Sequence, residues 1–492
     1  MTVASGQLDT RVAAALPVNR DLYYGGAWHR PNGGYLDTID PATGLSLGPC
    51  AEADASDVDA AVAAAEKGFL AWRDTKPVQR SVALRAIAQV LRDNAEELAL
   101  IDAANCGNPV KALIVDIEKA AVQLDFFAGV ATEAKGATIP AGADMLCMTV
   151  REPWGVCARI VAYNHPLLFA AAKLGAPIAA GNSVIIKPPH QAPLSALRMM
   201  ELIDGILPPG VANVVTGTAP AGSALVAHPR VPVISLIGSI PTGRAVAKAC
   251  AERMKHVLFE LSGKNALIVY PDADIGRAVN GAIQGMNFTW CGQSCGSTSR
   301  LFVHDDVYDA VVEGVLAEVK RFRPGLPCDM NTNMGAIISR AQHEKILGYI
   351  DIGKSEGAKL LHGGGRPPEP ELSDGWFVEP TVFGDVNPSM RIACEEIFGP
   401  VLSIIRWSDE AEMLKAVNNV EYGLTAAVYS QDISRAHRAA RAVEAGFVWI
   451  NDSSSHYVGA PFGGYKQSGT GREESIEELL EFTQVKTVKL AL

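Results

Sequence analysis

From residue 155 onward, short apolar runs alternate with helical patterns, and this alternation limits the fold more than any other feature of the chain. CARIVAY (157–163), NSVIIK (182–187), VANVVTG (211–217), VPVISLIG (231–238) and HVLFEL (256–261) are short and largely apolar. Helical stretches at 167–180, 193–206, 219–227 and 242–253 separate them. Strands that are apolar on both faces are buried on both faces, and strand–helix–strand alternation builds a parallel sheet through crossover connections. A second series starts at NALIVY (265–270) and continues through RLFVH (300–304), a strand at 401–406, AAVYS (426–430) and GFVWIN (446–451). Helices at 275–286, 306–322, 338–357, 409–418 and 432–443 accompany it. The pattern predicts two α/β domains with a seam near residue 260.

The region before 155 reads as helical. Residues 56–72 fit a helix with Ser56 as N-cap, 78–106 fit one long amphipathic helix ended by Gly107-Asn108-Pro109, and a third covers 113–131. The tail EFTQVKTVKLAL (481–492) alternates apolar and polar residues as an edge strand does, and HGGGRPPEPELSDG (362–375) reads as a surface loop.

Composition narrows the function classes. The 492 residues carry 43 Lys+Arg against 54 Asp+Glu, a net charge of −11. An acidic chain without a basic block is a poor nucleic-acid or anionic-membrane binder. No stretch is apolar and uncharged for the ~20 residues a membrane span needs, and the first 21 residues show no secretory signal. The nine cysteines are scattered and form no zinc-type pairs, so no metal site is expected and a reducing cytoplasm is the expected location.

A few residues could carry chemistry. Cys295 sits in CGQSCGSTSR (291–300), between Gly292 and Gly296, where a tight backbone would expose the sulfur and aim N–H groups at a reacting oxygen. A cysteine is ordinarily a small buried hydrophobe, and Cys291 competes with it locally. Glu260 ends an apolar strand. It is either a surface residue or a partly buried general base, and the carboxyl end of a parallel strand is where such folds place their sites. Gly238-Ser-Ile-Pro-Thr-Gly243 opens a helix after a strand, with small residues that would let a phosphate approach, but it is neither a G-x-G-x-x-G fingerprint nor a P-loop. Asn164 could donate to an oxyanion or make a local turn bond. Lys187 could bind a ribose or phosphate, or be a solvated strand end.

Taken together, EPWGVCARIVAYNHPL, GNSVIIKP, FELSGKN, GQSC, EEIFGPV and PFGGYKQSGTGR resemble, in order and spacing, the NAD(P)-dependent aldehyde dehydrogenases. The resemblance runs from about residue 20 to the C-terminus. It implies an α/β subunit of two parallel-sheet domains joined by a bridging β-flap. The cofactor domain would be 20–129 and 152–259, the catalytic domain 260–460, and the flap 130–151 and 478–492. It further implies that Cys295 attacks the aldehyde, and that Asn164 and the Cys295 N–H hold the oxyanion. Hydride then leaves for NAD or NADP, and Glu260 activates water to release the acid. Lys173 matches a lysine near the family's proton path, although a solvated helix lysine is equally compatible with its position. Lys187 would bind the adenosine ribose, Gly238, Ser239 and Gly243 the pyrophosphate, and Glu396 the nicotinamide ribose. Phe398, Ile160, Tyr163 and Leu261 would wall the cofactor cleft. A homodimer or homotetramer is implied by the flap.

Departures from the family pattern bear on cofactor and substrate. His190 stands where many NAD-preferring members carry Glu. It removes a repulsion of the 2′-phosphate and, if protonated, would attract it, so NADP use is expected. One residue more than in many members separates Glu260 from Cys295, an insertion near 286–292. His165, Ala172, Trp290, Ser294, His456 and Phe462 are the expected substrate-pocket residues. They suggest a wide pocket for a bulky aromatic aldehyde, or for a semialdehyde whose carboxylate meets a histidine. A thiol esterase using Cys295, Asn164 and Glu260, or a non-catalytic protein of the same fold, are the competing readings.

Overall fold

The apolar runs between 156 and 260 form the strands of one sheet, and the polar breaks at their carboxyl ends converge on one crevice. A computed structural model describes residues 8–492. The first sheet has the order Ala27–His29, Leu22–Tyr24, Ala212–Val214, Ser183–Lys187, Val156–Ile160, Val233–Ile237, His256–Glu260, Gly469–Thr470. Its five central strands are parallel, with antiparallel strands at both margins. The chain leaves Val156–Ile160 first toward Ser183–Lys187 and later returns on its other side. This is the switch point at which open α/β sheets bind ligands, beyond the carboxyl ends of the strands. Register places Ile160 opposite Lys187 and Leu236, and Ile237 opposite Glu260, so the candidate residues form a row across that edge.

The second sheet runs Lys359–His362, Thr381–Gly384, Val401–Trp407, Arg300–His304, Ala266–Val269, Thr425–Tyr429, Phe447–Ile450 and is parallel except at Lys359–His362. Two buried clusters, one on each face, sandwich it, as a doubly covered parallel sheet requires. A third sheet pairs Thr483–Ala491 with Met145–Pro153, and the latter with Thr138–Ile139. Gly469–Thr470 crosses back to the first sheet after the chain has completed the second.

Several local expectations need correction. The first long helix is Ala55–Trp72, and its N-cap is Asp54, not Ser56; the Asp54 carboxylate accepts from the Ser56 and Asp57 N–H groups. An aspartate at the cap and another at the third helical position satisfy two backbone donors at once, which fixes the start one residue earlier. The expected helix 78–106 is two helices, Pro77–Asp93 and Ala95–Cys106. They are interrupted at Asn94, whose side-chain amide donates back to the Val90 carbonyl. Residues 167–180 likewise divide into Pro166–Ala172 and Gly175–Ala180. The strands before residue 52 lacked a long apolar run and were not expected. Among the described residues no helix is long and apolar enough to cross a membrane.

Candidate active site

The Cys295 loop is held by neighbours that leave it little freedom. Helix Ile275–Gly285 ends in a 3₁₀ turn at Phe288–Trp290, with Asn287 and Cys291 in the left-handed region. Gly292 follows at φ +64°, and a Cβ there would collide with the Gly399 carbonyl. The Asn265 amide donates to the Cys295 carbonyl at 2.7 Å and to the Ser297 carbonyl at 3.0 Å. At Gly263 a Cβ would meet that same Cys295 carbonyl. The SGKN segment after Glu260 therefore braces the cysteine loop, which ties two motifs 30 residues apart. Cys291 is fully buried, whereas Cys295 is partly accessible, so Cys295 is the better placed of the two to meet a substrate.

Cys295 and Glu260 line two cavities at once. One, of about 240 Å³, is bounded by Ala162, Tyr163, Asn164, Ile237, Gly238, Ser239, Leu261, Ser262, Gln342, Lys345, Glu396 and Phe398. The other, of about 450 Å³, includes His165, Phe169, Lys173, Trp290, Ser294, His456, Phe462, Glu473 and Glu474 in its wall. Glu260 is 4% exposed, so it is not a surface carboxylate. Burial, reinforced by Glu473 and Glu396 and opposed by a hydrogen bond from Cys295 and the charge of Lys173, pushes its pKa up to about 8. One Glu260 oxygen has no hydrogen-bond partner. Burial and the neighbouring Glu260 raise the Cys295 thiol well above its ordinary range. Both groups are therefore protonated at rest near neutral pH, and Glu260 has the pKa closer to the working range.

Asn164 is buried, and its carbonyl accepts from Asn108 at 2.8 Å. Its side-chain amide makes no hydrogen bond among the described residues, so the turn-bond reading does not hold and the amide is free to meet an oxyanion. Lys173 is not a solvated lysine. Its ammonium lies 2.8 Å from Glu473, which also binds Arg159 at 2.7 Å, and Arg159 pairs with Glu478 at 2.8 Å. These four charges are buried and paired with one another, although Arg159 Nε has no partner.

On the cofactor side, Lys187 is 6% exposed and donates to the Pro188 carbonyl at 3.1 Å; burial lowers its pKa to about 8. It is thus no solvated strand end. Ile160 lies beside it, and Gly222 faces both side chains. Ser239 caps helix Ile240–Ala251, accepting from the Thr242 N–H. A Cβ at Gly243 would fall 2.5 Å from Leu261 Cδ1, so that helix approaches the cleft closely because residue 243 has no side chain. Glu396 accepts from the Gly263 N–H at 3.0 Å, and Tyr163 and Phe398 meet edge to face at 5.9 Å. Phe398 itself sits at φ +55°. These residues fit a dinucleotide: spare donors at Lys187, a helix start without side-chain bulk at Gly243, and a carboxylate and aromatic ring at the far end. His190 is exposed and lies near Lys187. Partial desolvation and then Lys187 lower its pKa, so the expected attraction of a protonated His190 for phosphate is not available at neutral pH.

On the substrate side, His165, Trp290, Ser294, His456 and Phe462 all line the larger cavity, but Ala172 does not. Its methyl is 1% exposed and packs in the core behind helix Pro166–Ala172, while Leu168 and Phe169 supply that part of the wall. Sequence reasoning missed Gln342 and Lys345, which come from an unremarkable amphipathic helix with no motif. It also missed Asp116, although a signal existed. Asp116 falls in phase with the buried stripe Leu113, Ile117, Ala120 and Leu124 of its helix, where an acid needs a partner.

The sequence matches the family model for the aldehyde dehydrogenase family over residues 28–488. The chain belongs to the aldehyde dehydrogenase family. It is 48% identical over 489 residues to the aldehyde dehydrogenase tropH of Talaromyces stipitatus, covering 98% of this chain and 95% of that protein. Among solved structures, the NAD⁺ complex of an aldehyde dehydrogenase from Bacillus cereus superposes with a TM-score of 0.95 at 37% identity, covering 99% of this chain and 100% of that one. An indole-3-acetaldehyde dehydrogenase of P. syringae, AldA, in complex with NAD⁺ and IAA, gives a TM-score of 0.95 at 35% identity with full coverage of both chains. The aldehyde dehydrogenase fold and an NAD(P)-dependent oxidoreductase activity on aldehydes follow from this membership.

Proposed function

We propose that this aldehyde dehydrogenase oxidises bulky aromatic aldehydes to carboxylic acids through a covalent intermediate on Cys295. The observation that carries the reading is the position of Cys295 and Glu260 in the walls of both cavities, one aromatic-lined and roomy, the other fitted to a dinucleotide. The relative that handles indole-3-acetaldehyde supports the aromatic preference.

As the sulfur of Cys295 adds to the carbonyl carbon, Glu260 takes the thiol proton, and a thiohemiacetal forms. Asn164 and the Cys295 N–H stabilise the developing oxyanion. When bound, NAD(P) supplies the hydride acceptor. Once oxidation has left a thioester on Cys295, Glu260 passes the thiol proton on toward solvent and is a base again. It then takes a proton from water as the water attacks the thioester, the C–S bond breaks to free the sulfur, and the acid departs. Lys173 and Glu473, paired in the same wall, give that proton a route toward solvent. Lys187, Gly238, Ser239, Gly243, Leu261 and Glu396 hold the dinucleotide, with Ile160, Tyr163 and Phe398 flanking it. His190 places no fixed negative charge at the ribose, so NADP is accepted as well as NAD.

The subunits associate into a homodimer or homotetramer through strand Thr483–Ala491, eight of whose nine residues are exposed. Nine free cysteines suit a cytoplasmic enzyme.

Absorbance growth at 340 nm with an aldehyde panel, NAD and NADP side by side and Cys295→Ala as blank, tests the reading. Turnover with aromatic aldehydes and both dinucleotides, absent in the blank, is expected. Ester hydrolysis without any aldehyde-dependent reduction would point instead to the thiol esterase, and no NADP turnover where NAD reacts would refute the role given to His190.

A further inference from the structure

Two histidines of the larger cavity are held in the same way. His165 Nδ1 lies 2.6 Å from Asp116 Oδ2, and His456 Nδ1 lies 3.2 Å from Glu474 Oε2. Both carboxylates have their pKa lowered below the ordinary range; burial opposes this, and the facing histidine is the first favourable cause for each. They are therefore ionised, and an ionised carboxylate only accepts. Nδ1 of each imidazole is thus the donor, and Nε2 has no partner among the described residues. A carboxylate behind a histidine fixes its tautomer in this way and leaves the other nitrogen as a lone-pair acceptor in the neutral ring.

The surroundings define what these nitrogens meet. His165 packs against Phe169 and Trp290, each with ring centroids 5.5 Å away, and His456 packs 4.8 Å from Phe462. Asp116 also takes Lys119 at 3.2 Å and receives a long contact from the Trp290 indole at 3.4 Å. Its charge is shared among three groups, and it is 2% exposed. Glu474 is held by the N-cap region of the following helix: its N–H donates to Glu478 and its carbonyl accepts from Gly459. With both rings neutral, the cavity presents two acceptor nitrogens on aromatic walls, backed by fixed negative charge. Lys119 and Lys173 also line it, but each is already paired with a carboxylate.

We propose that His165 and His456 read hydroxyl groups on the ring of the substrate, so that the preferred aldehydes are hydroxylated aromatic ones. This deepens the aromatic reading above and rests on it. A phenolic hydroxyl donates to an Nε2 lone pair, whereas a carboxylate would meet the lone pair and the acidic groups behind it. The semialdehyde alternative is disfavoured on this ground.

The test compares kcat/KM for benzaldehyde, hydroxybenzaldehydes and carboxybenzaldehydes in the wild type, His165→Phe and His456→Phe. Wild type is expected to favour a hydroxybenzaldehyde over benzaldehyde by about tenfold, the value of one good hydrogen bond, and to disfavour the carboxylated compound. At least one substitution should bring the hydroxyl-to-unsubstituted ratio to about one, mainly through KM. His456 is partly exposed, so its substitution keeps the experiment informative if the loss of His165 beside buried Asp116 impairs folding. A carboxybenzaldehyde preference, or a hydroxyl preference that survives both substitutions, would overturn the proposal while leaving the aromatic reading intact. Oxidation of short aliphatic aldehydes alone would overturn both.

Discussion

The proposed role of Glu260 as the base predicts a pH dependence whose size follows from its buried position. Burial is the largest cause of the raised pKa, and Glu473 and Glu396 add to it; the value is about 8 against an ordinary 4.5. The active form is the base, so activity rises with pH. A base of pKa about 8 is roughly one-tenth ionised at pH 7 and nine-tenths ionised at pH 9, which predicts a rise of about tenfold in kcat/KM across that interval. The assay is NAD(P)H formation from benzaldehyde at saturating dinucleotide, since kcat/KM reports groups of the free enzyme. Lys173 opposes the shift, so Lys173→Met should move the inflection to higher pH. A flat or falling profile between pH 7 and 9, or an acid shift in Lys173→Met, would refute the reasoning.

Three other outcomes follow from the same geometry. Asn164→Ala removes the proposed oxyanion donor and should lower kcat by about 10²–10³ in steady-state assays. Gly243→Ala drives a methyl into Leu261 at 2.5 Å and should raise KM for the dinucleotide about tenfold, with little effect on KM for the aldehyde. Glu473→Ala leaves buried Arg159 and Lys173 without one shared partner, and should cost about 3–5 kcal/mol in chemical denaturation.

The parallel strands were legible because burial on both faces leaves an unbroken apolar run, and most of their boundaries fall within two residues of the expected ones. Helix interruptions were not, because Asn94 and the break between Ala172 and Gly175 do not disturb the apolar periodicity. The row of candidate residues at strand ends was legible through motif order: Lys187 and Glu260 end sheet strands, and Asn164 and Gly238 follow others, at one edge. The charged wall was not. Lys119, Glu473 and Glu474 reach the cavity, and Asp116 backs it through His165, from helix Val110–Val130 and from the segment after Thr470, far apart in sequence. Ala172 illustrates the converse error: a position chosen by alignment to a motif lies on the correct helix, but its methyl packs into the core and not the cavity wall.

The covalent step on Cys295 is tested most directly by mass spectrometry of Glu260→Gln after mixing with NAD(P) and an aromatic aldehyde. The substitution removes the base of both steps, but water needs that base far more than a thiol does, so acylation slows and hydrolysis nearly stops. The enzyme should slowly accumulate an acyl adduct on the peptide that carries Cys295, together with about one NAD(P)H per subunit. NAD(P)H formation with no adduct on that peptide, or with the acyl group on Cys291, would contradict the account.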